Sequence, residues 1–348
     1  MTRTMPEPRC ILALETSCDE TAAAVISAEG AVLSSEVASQ IEAHRAYGGV
    51  VPEVASRNHI MHMRLLVEQA LEHAGVSLKD VAAFAATSGP GLVSSLLIGS
   101  TFAKSLALAE GRPFLAINHL EGHLLSPFMG GESEAPASEI PPHVALVVSG
   151  GHTMLLHVRG VARYELLGRT RDDAAGEAFD KVAKMLKLPY PGGPEIDKRA
   201  RSGKRDAHEF PRSLMEQGNF EFSFSGLKTA VLYLLPKIQW QLEPVLNDLC
   251  ASFQESVVEV LVEKTVRAAR RVGAILVAVS GGVSCNKRLR ERFAERCAEM
   301  KLELQLTQPR YSTDNAAMIG FAAMQRWKQG FASPLETDVD PNLSLVVA

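Results

Sequence analysis

The chain has 348 residues, more than one compact core usually holds, and its 46% hydrophobic and 22% charged composition excludes a disordered or fibrous protein. A formal net charge of −4 announces no nucleic-acid binder, so any RNA contact has to come from a local patch or a partner. The five cysteines (Cys10, Cys18, Cys250, Cys285, Cys297) are scattered and form no Cys-x-x-Cys pair, which argues against a disulfide framework or a zinc ribbon and predicts a reducing compartment.

Residues 1–9 carry Glu7 and two prolines and no apolar stretch, so they read as no secretory signal. The longest apolar run, Leu92–Leu108, is interrupted by Ser94, Ser95, Ser100 and Lys104, and no bilayer span is expected. A cytoplasmic protein without membrane contact is the expectation.

In chain order, residues 11–14 predict a short buried strand, Glu15–Glu20 a polar turn, and 21–26 a second strand. A helix follows over 56–74, then a strand at 81–87, the turn Ser88-Gly89-Pro90-Gly91, a helix at 92–110 and a strand at 113–117. Residues 129–143 are rich in Gly, Ser, Glu, Ala and Pro and read as a surface loop. From 144 the same grammar returns: strand 144–148, turn Ser149–His152, strand 153–158, and later strand 274–279, turn Ser280-Gly281-Gly282, helix 284–300 and strand 302–306. Further helices are expected at 172–186, 246–272 and 315–328. The repeated units are spaced more widely in the second half, which places an insertion within 170–250. A duplicated hairpin and strand–helix–strand unit predicts two similar α/β lobes with ligand loops facing one cleft.

Chemistry-bearing residues stand at the turns. His119 and His123 are four apart, on one face of a helix, a spacing that suits zinc or iron and equally a structural pair. In a metalloprotease the Glu directly follows the first His, about 100° round the helix; here Glu121 is two residues on, about 200° round, and points away. Asp314 is the best third ligand and also a plain helix N-cap. The turns at Ser149–His152 and Ser280–Gly282 can turn amides towards an anion, and neither is a Walker loop. Asp19 and Glu20 read as cation ligands, acid–base groups or solvated turn carboxylates. Asp173, Glu177 and Asp180 predict an acidic helix face, and Phe222–Lys228 a packing-plus-cap segment or a loop at the cleft mouth. The basic positions Lys198, Arg199, Arg201, Lys204 and Arg205 read as phosphate-backbone contacts or as a solvated helix end.

Assembled in order, these segments resemble the TsaD family of tRNA N6-adenosine threonylcarbamoyltransferases, formerly called O-sialoglycoprotein endopeptidases. The matching stretches are Leu14–Thr21, Gly48–Arg57, Thr87–Leu92, His119–His123, Val148–His152, Asp172–Lys181, Tyr190–Pro194, Ser223–Lys228, Gly281–Asn286 and Thr313–Asn315. Asn118 departs from members that carry another His there.

The resemblance implies an α/β protein of the actin/Hsp70/sugar-kinase-like fold, two ribonuclease-H-like lobes around a central cleft. The first lobe would span 10–128 with a helix at about 315–330 packing back, the second 143–314, with a surface loop at 129–142 and a tail at 331–348. It implies that His119, His123 and Asp314 hold one divalent metal ion per subunit, iron or zinc, with Asp314 reaching it from the second lobe. Val147, Val148, Ser149, Gly150, Gly151, Asp180, Gly193, Asp197 and Asn286 would bind threonylcarbamoyl-AMP. The reaction would move the threonylcarbamoyl group to N6 of adenosine 37 in tRNAs that read codons starting with A, releasing AMP. A catalytically silent paralogue and a small P-loop ATPase would be its partners. Asp19 and Glu20 are the best-placed candidates for the proton acceptor. A zinc metalloendopeptidase would use only the two histidines, and a kinase or ATPase of the same fold would leave the His/His/Asp set idle.

Overall fold

The computed structural model describes residues 10–45, 47, 49–131 and 134–346; the signal-peptide reading of residues 1–9 therefore lies outside the described residues. The chain divides into two compact units, one formed by residues up to Ile140 together with those from Asp314 on, the other by Pro141–Thr313.

The first unit opens with β1 (Cys10–Glu15), β2 (Glu20–Ser27) and β3 (Val32–Ser39), continues through α1 (Ile41–Arg45) and α2 (Pro52–Ala74), and then β4 (Val81–Gly89), α3 (Val93–Glu110), β5 (Phe114–Asn118) and α4 (His119–Leu125). The second unit holds β6 (His143–Val148), β7 (Thr153–Gly160), β8 (Arg163–Arg169), α5 (Ala175–Met185), α6 (Gly192–Ala200), α7 (Ser225–Leu234), α8 (Glu243–Val272), β9 (Leu276–Ser280), α9 (Lys287–Met300), β10 (Glu303–Leu306) and α10 (Pro309–Ser312). The chain then returns to the first unit with α11 (Ala316–Trp327).

The expected duplication is borne out. The first sheet runs β3-β2-β1-β4-β5 and the second β10-β9-β6-β7-β8, the same topology with the antiparallel hairpin on one side and parallel strands on the other. The strands β3 and β8, which the sequence reading omits, are the outer partners of the two hairpins. The insertion within 170–250 is helical, holding α5, α6, α7 and the start of α8.

Strand parity sets the faces of the first sheet. All of β1 is buried because helices cover it on both sides. Cys10, Leu12 and Leu14 pack with Met63 and Leu66 of α2 and Ala103 of α3. Ile11 and Ala13 face α11, where Gly320 comes so close that an added Cβ would lie 3.1 Å from Ala13 and 2.4 Å from Ile26. Glu15 continues the Ile11–Ala13 parity, and is thereby delivered, fully buried, to the α11 side at the carboxyl end of a central strand. The second core gathers Val144, Leu146 and Val148 of β6 with Phe179 of α5 and Phe253, Val257 and Leu261 of α8.

Two boundaries are corrected. Asp314 groups with the first unit, not the second, because it immediately precedes α11, which packs on β1, β2 and α4. The tail after Gly330 is part of the same unit: Ser333 bridges Phe114, the Asp340 amide donates to Ser88 O (2.8 Å), and Asn118 Nδ2 donates to Leu343 O (3.2 Å). Among the described residues no helix is long and apolar enough to cross a membrane.

Candidate active site

The first unit builds its site from charged side chains. Asn118 ends β5 and caps α4, its Oδ1 accepting from the Leu120 amide (2.8 Å), so the departure at this position serves to start the helix that carries both histidines. His119 and His123 stand one turn apart with ring centroids 4.8 Å from each other. Their Nε2 atoms converge on Asp314 Oδ1, at 3.5 Å from His119 and 3.0 Å from His123. The three donor groups lie within 4.8 Å of one another.

Behind this triad stands Glu15, which the sequence reading left as a turn residue. Its Oε2 accepts from His119 Nδ1 at 2.9 Å and from Thr87 Oγ1 at 2.7 Å, and its Oε1 accepts from the Ser17 amide at 2.5 Å. A carboxylate on the far nitrogen of a histidine is the usual support for a metal-binding imidazole, because it fixes the tautomer and the ring direction. Burial opposes charge on His119, yet the carboxylates of Asp314 and Glu15 hold its pKa well above the ordinary value. Burial likewise opposes charge on Asp314, and His119 with His123 holds that carboxyl well below its usual range. A buried cation between two carboxylates is thus favoured here, and two imidazoles with one carboxylate fit a divalent iron or zinc ion. His123 Nδ1, by contrast, is buried without a hydrogen-bond partner among the described residues, so packing and the Asp314 contact at Nε2 set that ring.

The loop Ser17–Glu20 leads from this site into β2. His59 on α2 reaches under it: the Cys18 carbonyl lies 3.1 Å from Nε2, so Nε2 carries the proton and Nδ1 accepts from Thr21 Oγ1 at 2.8 Å. Asp19 and Glu20 share a hydrogen bond, and burial together with the Asp314 and Asp19 carboxylates pushes the Glu20 carboxyl up to about 10. Glu20 itself is half-buried at this turn.

Glu121 is buried and bound to Arg326 of α11, whose Nε donates to both its oxygens at 2.9 and 3.1 Å. It ties two helices together and is no base for metal-bound water, as its angle on the helix predicts.

The second unit builds with backbone. Val147 and Val148 are buried strand residues, and Ser149-Gly150-Gly151 turns off the end of β6, closed by the Ser149 amide donating to His152 O at 2.8 Å. Added Cβ atoms at Gly150, Gly151 and Gly193 would meet nothing within 4 Å, and none of the three has positive φ, so the fold itself does not require glycine there. Open space beside exposed amides is what close approach of a ligand needs. Gly281 is different: φ is +89° and a Cβ would lie 2.3 Å from Val148 O, so the fold demands it.

Asp180 accepts from the Gly192 amide at 2.7 Å and from Gly193, which sets the turn entering α6; burial raises its carboxyl above the ordinary value. Asp197 is buried and receives Arg201 at 2.7 Å. Asn286 caps α9, Oδ1 accepting from Leu289 N (2.9 Å) while Nδ2 donates to Gln254 (2.7 Å). Each of these three side chains is engaged by a partner of its own within the second unit. The acidic helix face is corrected, since Asp173 precedes α5 and Lys181 lies between Asp173 (2.7 Å) and Glu177 (2.8 Å). The Phe222–Lys228 segment follows the packing-plus-cap reading: Phe222 and Phe224 are buried, and Asp172 accepts from Ser223 Oγ, Phe224 N and Ser225 Oγ at 2.5, 2.8 and 2.9 Å.

The model of the family described as tRNA N6-adenosine threonylcarbamoyltransferase, TsaD, matches residues 31–321. Proteins of that name from Clostridium beijerinckii and Geobacter sp. (strain M21) are 47% and 50% identical, covering 97% and 95% of this chain and 99% and 95% of their own lengths. Among solved structures, full-length HypF in its phosphate- and nucleotide-bound form superposes with TM-score 0.60 at 13% identity, over 93% of this chain and 56% of that one. Component A of the (R)-2-hydroxyglutaryl-CoA dehydratase of Acidaminococcus fermentans gives 0.53 at 14%, over 91% and 98%. These two likenesses establish the actin/Hsp70/sugar-kinase-like fold, and with the near full-length relatives they lead to one statement of kinship: the chain belongs to the TsaD family.

Proposed function

We propose that this protein transfers the threonylcarbamoyl group of threonylcarbamoyl-AMP to N6 of adenosine 37 in tRNAs that read codons starting with A. The observation that carries the reading is the near full-length identity with transferases of that name. N6 attacks the carbamoyl carbonyl, the bond from that carbon to the phosphate oxygen breaks, AMP leaves, and one proton departs from N6. AMP is already a good leaving group, so the protein mainly has to orient, polarise and collect that proton.

His119, His123 and Asp314 would hold the divalent ion, iron or zinc, and Glu15 would keep His119 in the ligating tautomer. Such an ion supplies Lewis-acid polarisation of a carbonyl when bound. Ser149–Gly151 would offer amides to the acyl-phosphate end of the adenylate. Gly193 would let its flat part approach backbone, within the frame set by Asp180, Asp197 and Asn286. Asp19, coupled to Glu20, would receive the proton from N6. The partners would be a catalytically silent paralogue and a small P-loop ATPase, working in the cytoplasm.

The test is reconstitution: the protein with threonine, bicarbonate, ATP, the two partner proteins and unmodified tRNA. The modified nucleoside at position 37 is expected by mass spectrometry of the digest. Its absence, with a known relative active in the same mixture, overturns the reading.

A further inference from the structure

The tRNA substrate requires a cationic surface that a chain of net charge −4 does not supply on average. In the segment at 198–205, Arg201 is paired with Asp197 at 2.7 Å, and Arg205 lies 3.8 Å from Glu255. A cluster of three arginines without acidic partners among the described residues sits elsewhere in the second unit, at the end of α8.

Arg267, Arg270 and Arg271 occupy i, i+3 and i+4 of one helix face and are exposed. None makes an ion pair with a carboxylate among the described residues. Arg267 Nη1 donates to Met215 O (3.0 Å) and Arg271 Nη1 to Gly218 O (3.4 Å), while the Arg271 guanidinium lies 5.4 Å from the centre of the Phe220 ring. With these neutral partners the three line a groove of about 700 Å³ that contains no acidic side chain. Glu221 faces Arg171 at 3.4 Å.

Basic residues in a last turn serve the helix dipole. That accounts for two arginines at a helix end but not for a third a turn earlier in the same concavity. Like charges at these spacings repel, and a polyanion laid in the groove relieves that repulsion. Guanidinium groups grip phosphate with parallel donors.

We propose that this groove binds the phosphodiester backbone of the tRNA, away from the nucleotide that reacts. The inference rests on the functional reading above for the identity of the RNA.

The experiment measures tRNA affinity of the assembled protein with its partners across a potassium chloride series, without transfer. Arg270→Gln touches no loop carbonyl and so preserves the groove wall; it should reduce the slope of log affinity against log salt by about one. Arg267→Gln/Arg270→Gln/Arg271→Gln should reduce the slope by about two to three and the affinity on the order of tenfold or more near physiological salt. Arg270→Lys should restore most of the slope. Transfer assays should show a raised KM for tRNA with kcat unchanged. Unchanged slopes in both Gln variants overturn the proposal. So does an equal fall for Arg64→Gln/Arg159→Gln, two exposed arginines paired with Glu68 and Glu165, because the effect would then be net charge alone. A wild-type complex that binds tRNA without modifying it counts against the functional reading instead.

Discussion

Where the chain leaves β1 it carries Glu15 into a buried set of imidazoles and carboxylates; where it leaves the matching strand β6 it carries Ser149-Gly150-Gly151 into open space. The topology is the same, with the hairpin turn and the parallel-strand exit at corresponding places in both sheets. The materials are opposite. The first unit concentrates charge that burial alone would expel, and each charge is held by its neighbour. The second leaves amides uncovered and keeps its side chains as framing, as Asp180 under Gly192 and Gly193 shows. A fold position can thus be repeated while its surroundings are rebuilt, with buried charged side chains in one unit and open backbone in the other.

The sharpest way to break this division is to remove the side chains of the first site. His119→Ala/His123→Ala should abolish bound metal and lower transfer on the order of 10⁴-fold or more, with circular dichroism unchanged. Metal analysis beside single-turnover assays checks it, and full activity in metal-free double variant would end the metal role. Next in size, Asp19→Asn should lower single-turnover transfer by about 10²–10⁴-fold, the usual contribution of a general base. Glu20→Gln, which replaces a carboxyl already protonated near neutral pH, should lower it less. Metal content and adenylate affinity should stay near normal. If both variants transfer at the wild-type rate under saturating tRNA, neither carboxylate takes the proton.

The support of the charged site is expected to act through the metal. Glu15→Gln keeps the size of the side chain but removes an acceptor from Ser17 N or Thr87 Oγ1 and the charge facing His119. Metal affinity should fall about 10–100-fold, the usual loss when such a partner is altered, as read by competition with a chelator. Unchanged affinity would mean that His119 is oriented without the Glu15 carboxylate.

In the second unit the division predicts that two glycines behave differently. Gly150→Val places methyls in the open space beside the turn and should weaken adenylate binding about tenfold, roughly 1.4 kcal/mol, with the melting temperature preserved. Gly281→Ala meets the Val148 carbonyl at positive φ and should destabilise the fold by about 1–3 kcal/mol before any ligand is added. Titration calorimetry and thermal melts separate the two, and equal stability loss in both variants would show that the open turn is structural.

Much of this was legible in the sequence, for reasons that particular segments make plain. β1 and β6 are continuous apolar runs ending in a polar or glycine turn, so strand and exit could both be read. The edge strands β3 and β8 were not: Val-Leu-Ser-Ser-Glu-Val-Ala-Ser and Arg-Tyr-Glu-Leu-Leu-Gly-Arg carry the charges and hydroxyls that keep an edge soluble, and these mask the alternation. The spacing of His119 and His123 showed the pair because it is local. Glu15 was hidden because its partners, Thr87 and His119, are 72 and 104 residues away; only its strand parity with Ile11 and Ala13 hinted at its face. The neighbour of Arg205 could not be read locally because the contact is tertiary: Glu255, which faces it, lies on α8.

The effect expected to leave transfer unchanged concerns a buried charge of the second unit, away from the turn at Ser149–Gly151. Lys264 of α8 is fully buried, its Nζ donating to Leu214 O and, at 3.0 Å, to Asn219 O, with the Phe222 ring 5.7 Å away. Burial lowers its pKa from 10.5 to about 8. Between these values the unfolded chain keeps a proton that the folded chain has released, so stability gains from this residue as pH rises from about 8 to 10.5 and loses as pH falls through about 8. Other groups titrate in the same window, so the measurement is the difference between the wild-type protein and Lys264→Met in urea unfolding at several pH values. The difference should shift in favour of the wild type across that window and stay flat below pH 7. Single-turnover transfer at neutral pH should be nearly the same in both proteins, because Lys264 serves the loop at 214–219 and no ligand. A flat difference across the window would show that the amine stays charged in its cage of carbonyls, and a large loss of transfer would place it in the chemistry after all.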